Sequence, residues 1–394
     1  MIPTSHPEVE AAERMEWLSV GAAIASISVV GIAIGLGVPL LSIVLENRGV
    51  SATMIGLNTA FAGLASIAAA PIAIPLASRF GVVPTILVMI VVGALSFPGF
   101  YFADQFWMWF PLRVVLHIAI TVLFILSEFW ITSSAPPSRR GFILGLYATV
   151  LSLGFAAGPI IFAQIGSSGF LPFAVTAAIV LLAALPVVAA WKEGPDISGK
   201  EEADRPRFAR YIWLVPTATA AVLVFGAVET GGFALFPVYA NRIGYDEAQA
   251  AYLLTMIGLG NVILQIPLGM LSDRIADRRH LLVACAATGL AGSIILPWVV
   301  QSWLVAAAVL FLWGGVVAGL YTVGLAHLGS RLSGRELASA NAAFVFCYGL
   351  GMLAGPQAIG LGMDAVGPHG FAWSLGLFFA AYIVLAGARL FARK

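Results

Sequence analysis

Twelve apolar runs, each about 20 residues or longer, follow one another along the chain and leave little between them. About 20 mostly apolar residues let a helix cross the hydrocarbon of a bilayer. Backbone groups at that depth must satisfy one another, so such a run crosses as a helix. The runs are 17–45, 52–78, 82–103, 106–131, 141–165 and 169–191, then 211–240, 247–272, 280–300, 303–330, 336–363 and 369–391. The expected fold is an all-α polytopic membrane protein with twelve transmembrane helices. Composition points the same way: 60% of residues are hydrophobic and 10% are charged, where a soluble domain carries about 25% charged residues.

The stretch from Lys192 to Arg210 separates the two sets of six. It holds ten charged residues in nineteen, with Pro195, Gly199 and Pro206, and reads as a solvated linker. The expected division is 1–191, a linker 192–210, and 211–394. Of the twenty Lys and Arg, seventeen fall in the termini, the linker and the loops of one face; Arg48 and Arg242 lie on the other, and Arg113 lies within a run. By the positive-inside rule both termini are expected in the cytoplasm of a cell bounded by this plasma (inner) membrane. The residues before Glu16 are polar and acidic, without a basic start or a small-residue cleavage site, so no removable signal peptide is expected.

The two sets also echo each other. Asn47-Arg48 recurs as Asn241-Arg242, Leu76-Ala-Ser-Arg79 as Leu271-Ser-Asp-Arg274, and Gly154-x-x-x-Gly158-Pro159 as Gly351-x-x-x-Gly355-Pro356, at offsets of 194, 195 and 197 residues. A repeat of half the chain predicts two pseudo-symmetric six-helix bundles, an organisation that places a solute site at the seam between repeats, near the membrane midplane.

Ionisable residues inside the runs are the candidates for that site, because a charge in hydrocarbon costs at least roughly 2.5–3.5 kcal/mol on insertion scales. The fourth run carries three. His117 lies about 40° and Glu128 about 60° round a helix from Arg113, forming one polar stripe. Arg113 either binds an anionic substrate and tunes a nearby acid, or is a structural Arg satisfied by a neighbouring helix. His117 is placed either to exchange a proton near neutral pH or to make a helix–helix hydrogen bond. Glu128 sits about 22 Å further along, where its expected partner is Arg79, as a gate pair in the inner-closed state; a central proton site is the alternative. Glu229, in Phe225-Gly-Ala-Val-Glu-Thr-Gly-Gly232 with Pro237 beyond, is the first choice for proton carrier, since glycines and prolines interrupt helices where transporters hold their sites. His327 is expected near the inner end of the tenth run. Phe124, Trp130, Phe233, Phe236, Asn261, Gln265, Trp313, Tyr321 and Asn341 are candidates for a cavity lining, each open also to a packing role. The 42 glycines, many at spacing four, would let helices approach and slide.

Other classes find no support. Net charge is +1 with no basic run, so nucleic acid is not an expected partner. There is no P-loop, His-Glu-x-x-His, Gly-x-Ser-x-Gly or Cys-x-x-Cys, and the loops are too short for a catalytic domain. No enzyme activity, cofactor or metal is expected. Cys285 and Cys347 both sit in apolar runs and are expected to pack.

Several motifs resemble those of the major facilitator superfamily. Gly269-Met-Leu-Ser-Asp-Arg-Ile-Ala-Asp-Arg-Arg279 looks like that family's loop motif between its second and third helices, and Ile74-Pro-Leu-Ala-Ser-Arg-Phe-Gly81 is the first-half copy with Ser78 in place of the acid. The resemblance assigns Asp273, Arg274 and Arg79 to gating. Arg113 matches the buried Arg of the fourth-helix motif, with His117 where that motif has glycine. Gly154, Gly158 and Pro159 match the antiporter motif of the fifth helix, and Gly158-Pro159 would bend it. Glu128-x-Trp130, Arg140-Gly141 and Trp313-Gly-Gly315 look like the YcaD-like branch near the drug and proton antiporters. The resemblance implies a monomeric, proton-coupled secondary transporter, an exporter of small amphipathic molecules; import or facilitated diffusion of a sugar, peptide or organic acid is the second reading.

Overall fold

The structure, a computed structural model, describes residues 17–135, 139–195, 209–332 and 334–391. Most of the expected linker, residues 196–208, lies outside the described residues, as do the Arg140 side chain and the surroundings of Gly141. Among the described residues there are twelve helices long and apolar enough to cross a membrane. They are α1 (Trp17–Asn47), α2 (Ala52–Phe80), α3 (Val82–Phe102), α4 (Phe106–Ser134), α5 (Phe142–Ile165), α6 (Leu171–Ala189), α7 (Pro216–Arg242), α8 (Glu247–Arg274), α9 (Arg278–Val299), α10 (Trp303–Gly329), α11 (Ser339–Val366) and α12 (Gly370–Arg389). An even number of crossings puts both chain ends at one end of the bundle, here called the terminal end; the opposite end is the distal end.

Local chemistry sets the boundaries. Ser51 caps α2, and Asp246 with Gln249 forms a reciprocal capping box at the start of α8. Gly81, at φ +91°, turns the chain out of α2 in a conformation that other residues rarely adopt. The seventh run departs from expectation. A short helix, Ala209–Leu214, ends before Pro216 and α7 begins there. Proline has no N–H for the carbonyl of Ile212 but suits a first helical position; the Thr219 hydroxyl donates to that carbonyl instead, at 3.1 Å. α1 is also irregular, with a π-helical turn at Ala33–Gly37.

Packing repeats with a period of six helices. In the first half α1 packs on α5, α2 on α4 and α3 on α6; in the second, α7 packs on α11, α8 on α10 and α9 on α12. These are two pseudo-symmetric six-helix bundles. They meet along a seam of α2 against α11 and α5 against α8, with the distal part of α1 against α7. The seam is lined by small residues: a Cβ on Gly56 would lie 2.2 Å from the Pro356 carbonyl oxygen, and one on Gly63 would lie 2.6 Å from the Leu353 nitrogen. Such contacts let whole backbones touch across the seam.

Candidate functional site

At its distal end the seam is held by a polar network. The Arg242 guanidinium at the end of α7 is bidentate to Glu46 of α1, at 2.8 and 3.1 Å, and reaches Asp364 of α11 at 3.3 Å. Asp364 in turn accepts from the backbone amides of Ala52 and Thr53, at 3.2 and 2.7 Å, so a carboxylate of one half caps the positive end of a helix in the other. Glu247 of α8 accepts from the Ser167 hydroxyl at 2.6 Å and from Asn47 at 3.1 Å. Gln164 donates to the Tyr252 hydroxyl at 2.7 Å.

Toward the terminal end such ties give way to exposed side chains. Arg79 stacks over Phe80 at 5.3 Å, and both are exposed. Glu128 is exposed and forms no ion pair among the described residues, so the expected Arg79–Glu128 pair is not made in this conformation. The residue before it, Ser127, lies hydroxyl to hydroxyl 2.9 Å from Tyr147 of α5.

Between these ends lies a recess of ≈ 490 Å³, open mouth included, walled by Phe155 of α5 and by Phe225, Glu229, Phe233, Ile257, Asn261 and Trp313 from the second half. Glu229 stands thirteen residues from either end of α7 (Pro216–Arg242). The Tyr348 hydroxyl of α11 donates to its Oε2 at 2.5 Å. That bond depends on close helix approach: a Cβ on Gly226 would lie 2.5 Å from the Tyr348 carbonyl oxygen, and one on Gly231 would lie 3.1 Å from the Pro356 nitrogen. A carboxyl half-buried at mid-depth, open to a recess and held by one neutral donor, can gain or lose a proton without breaking an ion pair. Phe233 meets Phe155 edge to face across the seam at 5.7 Å, closing the recess on the first-half side.

Arg113 lies elsewhere. It is fully buried in the first bundle, where its Nε donates to the Asn58 Oδ1 of α2 at 3.0 Å and its guanidinium lies 5.7 Å from the Phe100 ring centroid. It forms no ion pair among the described residues, and neither Nη nor the Asn58 Nδ2 has a described partner. His117, also buried, has its Nδ1 3.1 Å from the Arg113 carbonyl oxygen. The stripe on α4 therefore splits, with Arg113 and His117 buried inside their own bundle and Glu128 exposed.

This arrangement accords with what the chain is similar to. A Bacillus subtilis (strain 168) protein, the uncharacterized MFS-type transporter YfkF, is 30% identical over 337 residues, 85% of this chain and 86% of that one. The sequence profile of the Major Facilitator Superfamily matches residues 22–258 and 233–394. The chain belongs to the major facilitator superfamily. Like the superfamily's other members matched here it is a transporter, not an enzyme. A YcaD from Escherichia fergusonii, also an uncharacterized MFS-type transporter, is 22% identical over 257 residues, 64% of each chain, in line with the YcaD-like resemblance. Solved structures share the fold: the nucleoside transporter NupG, TM-score 0.76 at 12% identity over 96% of this chain and 99% of that one, and a D-xylose-proton symporter, TM-score 0.71 at 14% identity over 94% and 96%.

Of the side chains singled out in this facilitator's sequence, Glu229, Phe233, Asn261 and Trp313 line the recess together. Gln265 donates to Asn261 at 2.6 Å and accepts from Thr322. Tyr321 packs in the aromatic group beside Tyr348, at 6.2 Å. Phe124 is half-buried and Asn341 exposed. Trp130 is buried within the first bundle, bonded to Ser19, and Phe236 is buried against Phe371; neither opens on the recess. Asp273 pairs with Arg278 at 3.1 Å and Arg274 is exposed at the terminal end. His327 is buried near that end. Gly154 and Gly158 face Gly31 and Gly35 of α1, where a Cβ would lie 2.8 and 2.3 Å from backbone carbon, so with Pro159 they set a helix crossing inside one bundle, against the π turn. Cys285 and Cys347 are buried and free. No cluster of three or more His, Cys, Asp or Glu able to hold a metal occurs among the described residues.

Sequence reasoning missed Tyr348, because a tyrosine in an apolar run carries no spacing signal. It also missed the distal acids Glu46, Glu247 and Asp364. The Asn47-Arg48 and Asn241-Arg242 repeat marked the place, since Asn47 and Arg242 both belong to the network.

Proposed function

We propose that this protein is a proton-coupled secondary transporter that works by alternating access, exporting small amphipathic molecules from the cytoplasm across the plasma (inner) membrane as a monomer with both termini inside. The carrying observation is Glu229: a carboxyl at the middle of α7, open to the seam recess, with the Tyr348 hydroxyl at 2.5 Å. Protonation there removes a charge from the seam and so shifts the balance between the two rocked states, which is what coupling requires. The Tyr348 hydroxyl faces Glu229 directly, and the Tyr321 ring packs on Tyr348 at 6.2 Å. With the basic loops inside, the distal network is an outer seal and the structure is the inward-open state. The aromatic walls suit a partly apolar cargo, and the Gly158-Pro159 element favours exchange over import.

Proteoliposomes with an imposed pH gradient test the reading. Solute movement should follow the gradient, reverse when it is reversed, and stop on addition of a protonophore. Glu229→Gln, whose amide keeps an acceptor for Tyr348, should leave the protein folded and remove the gradient dependence. Gradient-driven flux in Glu229→Gln equal to that of the parent protein would overturn the assignment of the proton to this residue.

A further inference from the structure

We infer that the solute carries a short alkyl tip that seats in a void inside the second bundle, entered past Gly232, and that Gly232 sets how bulky that tip can be. This rests on the recess being the solute site and names part of what that site selects.

The cavity walls carry the inference. A second void, ≈ 370 Å³ with its open mouth included, adjoins the recess, and Gly232, Ile257 and Trp313 wall both. Beyond those three its walls include Phe236 of α7, Leu296 of α9, Leu310 of α10 and Leu375 of α12, whereas α9 and α12 lend the recess no residue. Two of its wall side chains carry a polar atom, and both are spent on one carbonyl. Trp313 Nε1 donates to the Gly289 oxygen at 3.0 Å, and the Ser293 hydroxyl donates to the same oxygen at 2.9 Å. An ordered water needs about two to four polar partners, and a charge fares worse without them. Carbon suits this void, and until carbon fills it the lining forfeits dispersion contact.

Gly232 is the doorway. Its neighbour Gly231 is small for packing, since a Cβ there would lie 2.5 Å from Ile359 Cδ1 and 3.1 Å from the Pro356 nitrogen. A Cβ on Gly232 would meet nothing within 4 Å, and its backbone is helical. Glycine weakens a helix interior relative to alanine, so the missing side chain here leaves an opening and serves no helix contact. The opposite post is fixed: a Cβ on Gly292 would lie 2.1 Å from Trp313 Cδ1, and the indole meets Phe379 edge to face at 6.1 Å. Glu229 stands three residues before Gly232 on α7, on the same helix face. A solute whose polar part meets Glu229 or Asn261 thus brings its apolar end to the doorway.

The test uses dansylamide and its N-methyl, N-ethyl and N-propyl forms, in saturable binding to the purified full-length protein, each corrected for its partition into empty micelles. Affinity should rise about fourfold per methylene, and so about sixtyfold from dansylamide to the N-propyl form. That ratio should fall to near one in Gly232→Val, which blocks the doorway, and in Leu375→Phe, which fills the void from its far wall; Gly232→Ala should lower it in part. Phe233→Ala, on the recess alone, should weaken every probe while keeping the ratio. No saturable binding by the parent protein, a ratio near one in the parent, or an unchanged ratio in either Gly232→Val or Leu375→Phe would overturn the inference. The underlying reading fails separately. Binding untouched in Phe233→Ala removes the recess as the solute site, and flux indifferent to the pH gradient defeats proton coupling, whereas a lost chain-length ratio with Phe233 still required defeats the side void only.

Discussion

The two halves of this facilitator share a scaffold and differ in what they do with charge. Each is braced by the same tight crossing: Gly154 and Gly158 of α5 lie on Gly31 and Gly35 of α1, while Gly351 and Gly355 of α11 lie on Leu223 and Ala227 of α7. Just past that crossing the second half places Glu229 on the recess, whereas the first half has a π turn ending at Gly37. The first half holds Arg113 of α4 sealed among its own helices. At the distal end the repeated pair divides its labour too. Arg242 crosses to Glu46 and also holds Asp364 of its own half, while Arg48 stays at home on the Ala103 carbonyl at 2.7 Å and over Trp109. The two halves share the frame, and the carboxyl that lines the recess, Glu229, stands on the second-half side of the seam.

The largest expected contrast is between Glu229 and Arg113. Glu229→Gln should drop gradient-driven flux to the level of empty liposomes with little change in stability. The double variant Arg113→Met with Asn58→Leu should keep flux within about threefold and be as stable as the parent or more so by about 1–4 kcal/mol, because a buried charge without a partner is replaced by packing. Unfolding in denaturing detergent and flux per folded molecule measure both, and loss of flux in the double variant would break the assignment of Arg113 to structure.

The shared crossing sharpens the comparison in the opposite sense. Gly158→Val and Gly355→Val put a side chain where even a Cβ lies 2.3 Å from the Gly35 carbonyl carbon or 2.2 Å from the Ala227 carbonyl oxygen. Each should destabilise by about 1–3 kcal/mol, alike in the two halves; a cost in one half only would show that the crossings are not equivalent.

A smaller effect is expected at the distal network. Its pairs are partly exposed, and such ion pairs contribute at most about 1 kcal/mol. Arg242→Gln should shift the rocking equilibrium by about that much and speed thiol labelling of a Gln164→Cys reporter, whereas Arg48→Gln should leave labelling unchanged. Equal labelling in both variants would remove the seal from Arg242.

The smallest lies in the turn after α8. Asp277 is held down to about 2 from an ordinary 3.8 by its hydrogen bonds to Arg279. Its folded-state value lies below the unfolded one, so its contribution is fully present above pH 3.8 and is lost as pH falls through 2. Asp277→Asn should therefore lower thermal stability slightly near neutral pH and not at all once the medium is acid enough to protonate the folded carboxyl. The matching first-half loop, with Ser78 and an Arg79 that forms no ion pair among the described residues, should show no such dependence when Ser78 is replaced by Ala.

Hydropathy by itself determined the number of crossings, because a bilayer sets the length of every span, and the repeated Asn-Arg, Leu-x-x-Arg and Gly-Pro motifs determined that the chain is two copies of one unit. It also marked Glu229, since a lone acid between glycines in an apolar run has few structural uses. Helical periodicity could not divide the α4 stripe: Arg113, His117 and Glu128 lie within about 60° of one another round the helix, yet the first two are buried, Arg113 against α2 and α3, while the third is exposed. Whether a polar face is sealed or open depends on which neighbour packs against it at each level. Nor could the sequence pair Glu229 with Tyr348, or Arg242 with Glu46 and Asp364, residues 119, 196 and 122 positions apart. Packing of α7 on α11 brings Glu229 to Tyr348 and Arg242 to Asp364, and docking of the two bundles brings Arg242 to Glu46; both are properties of the tertiary structure.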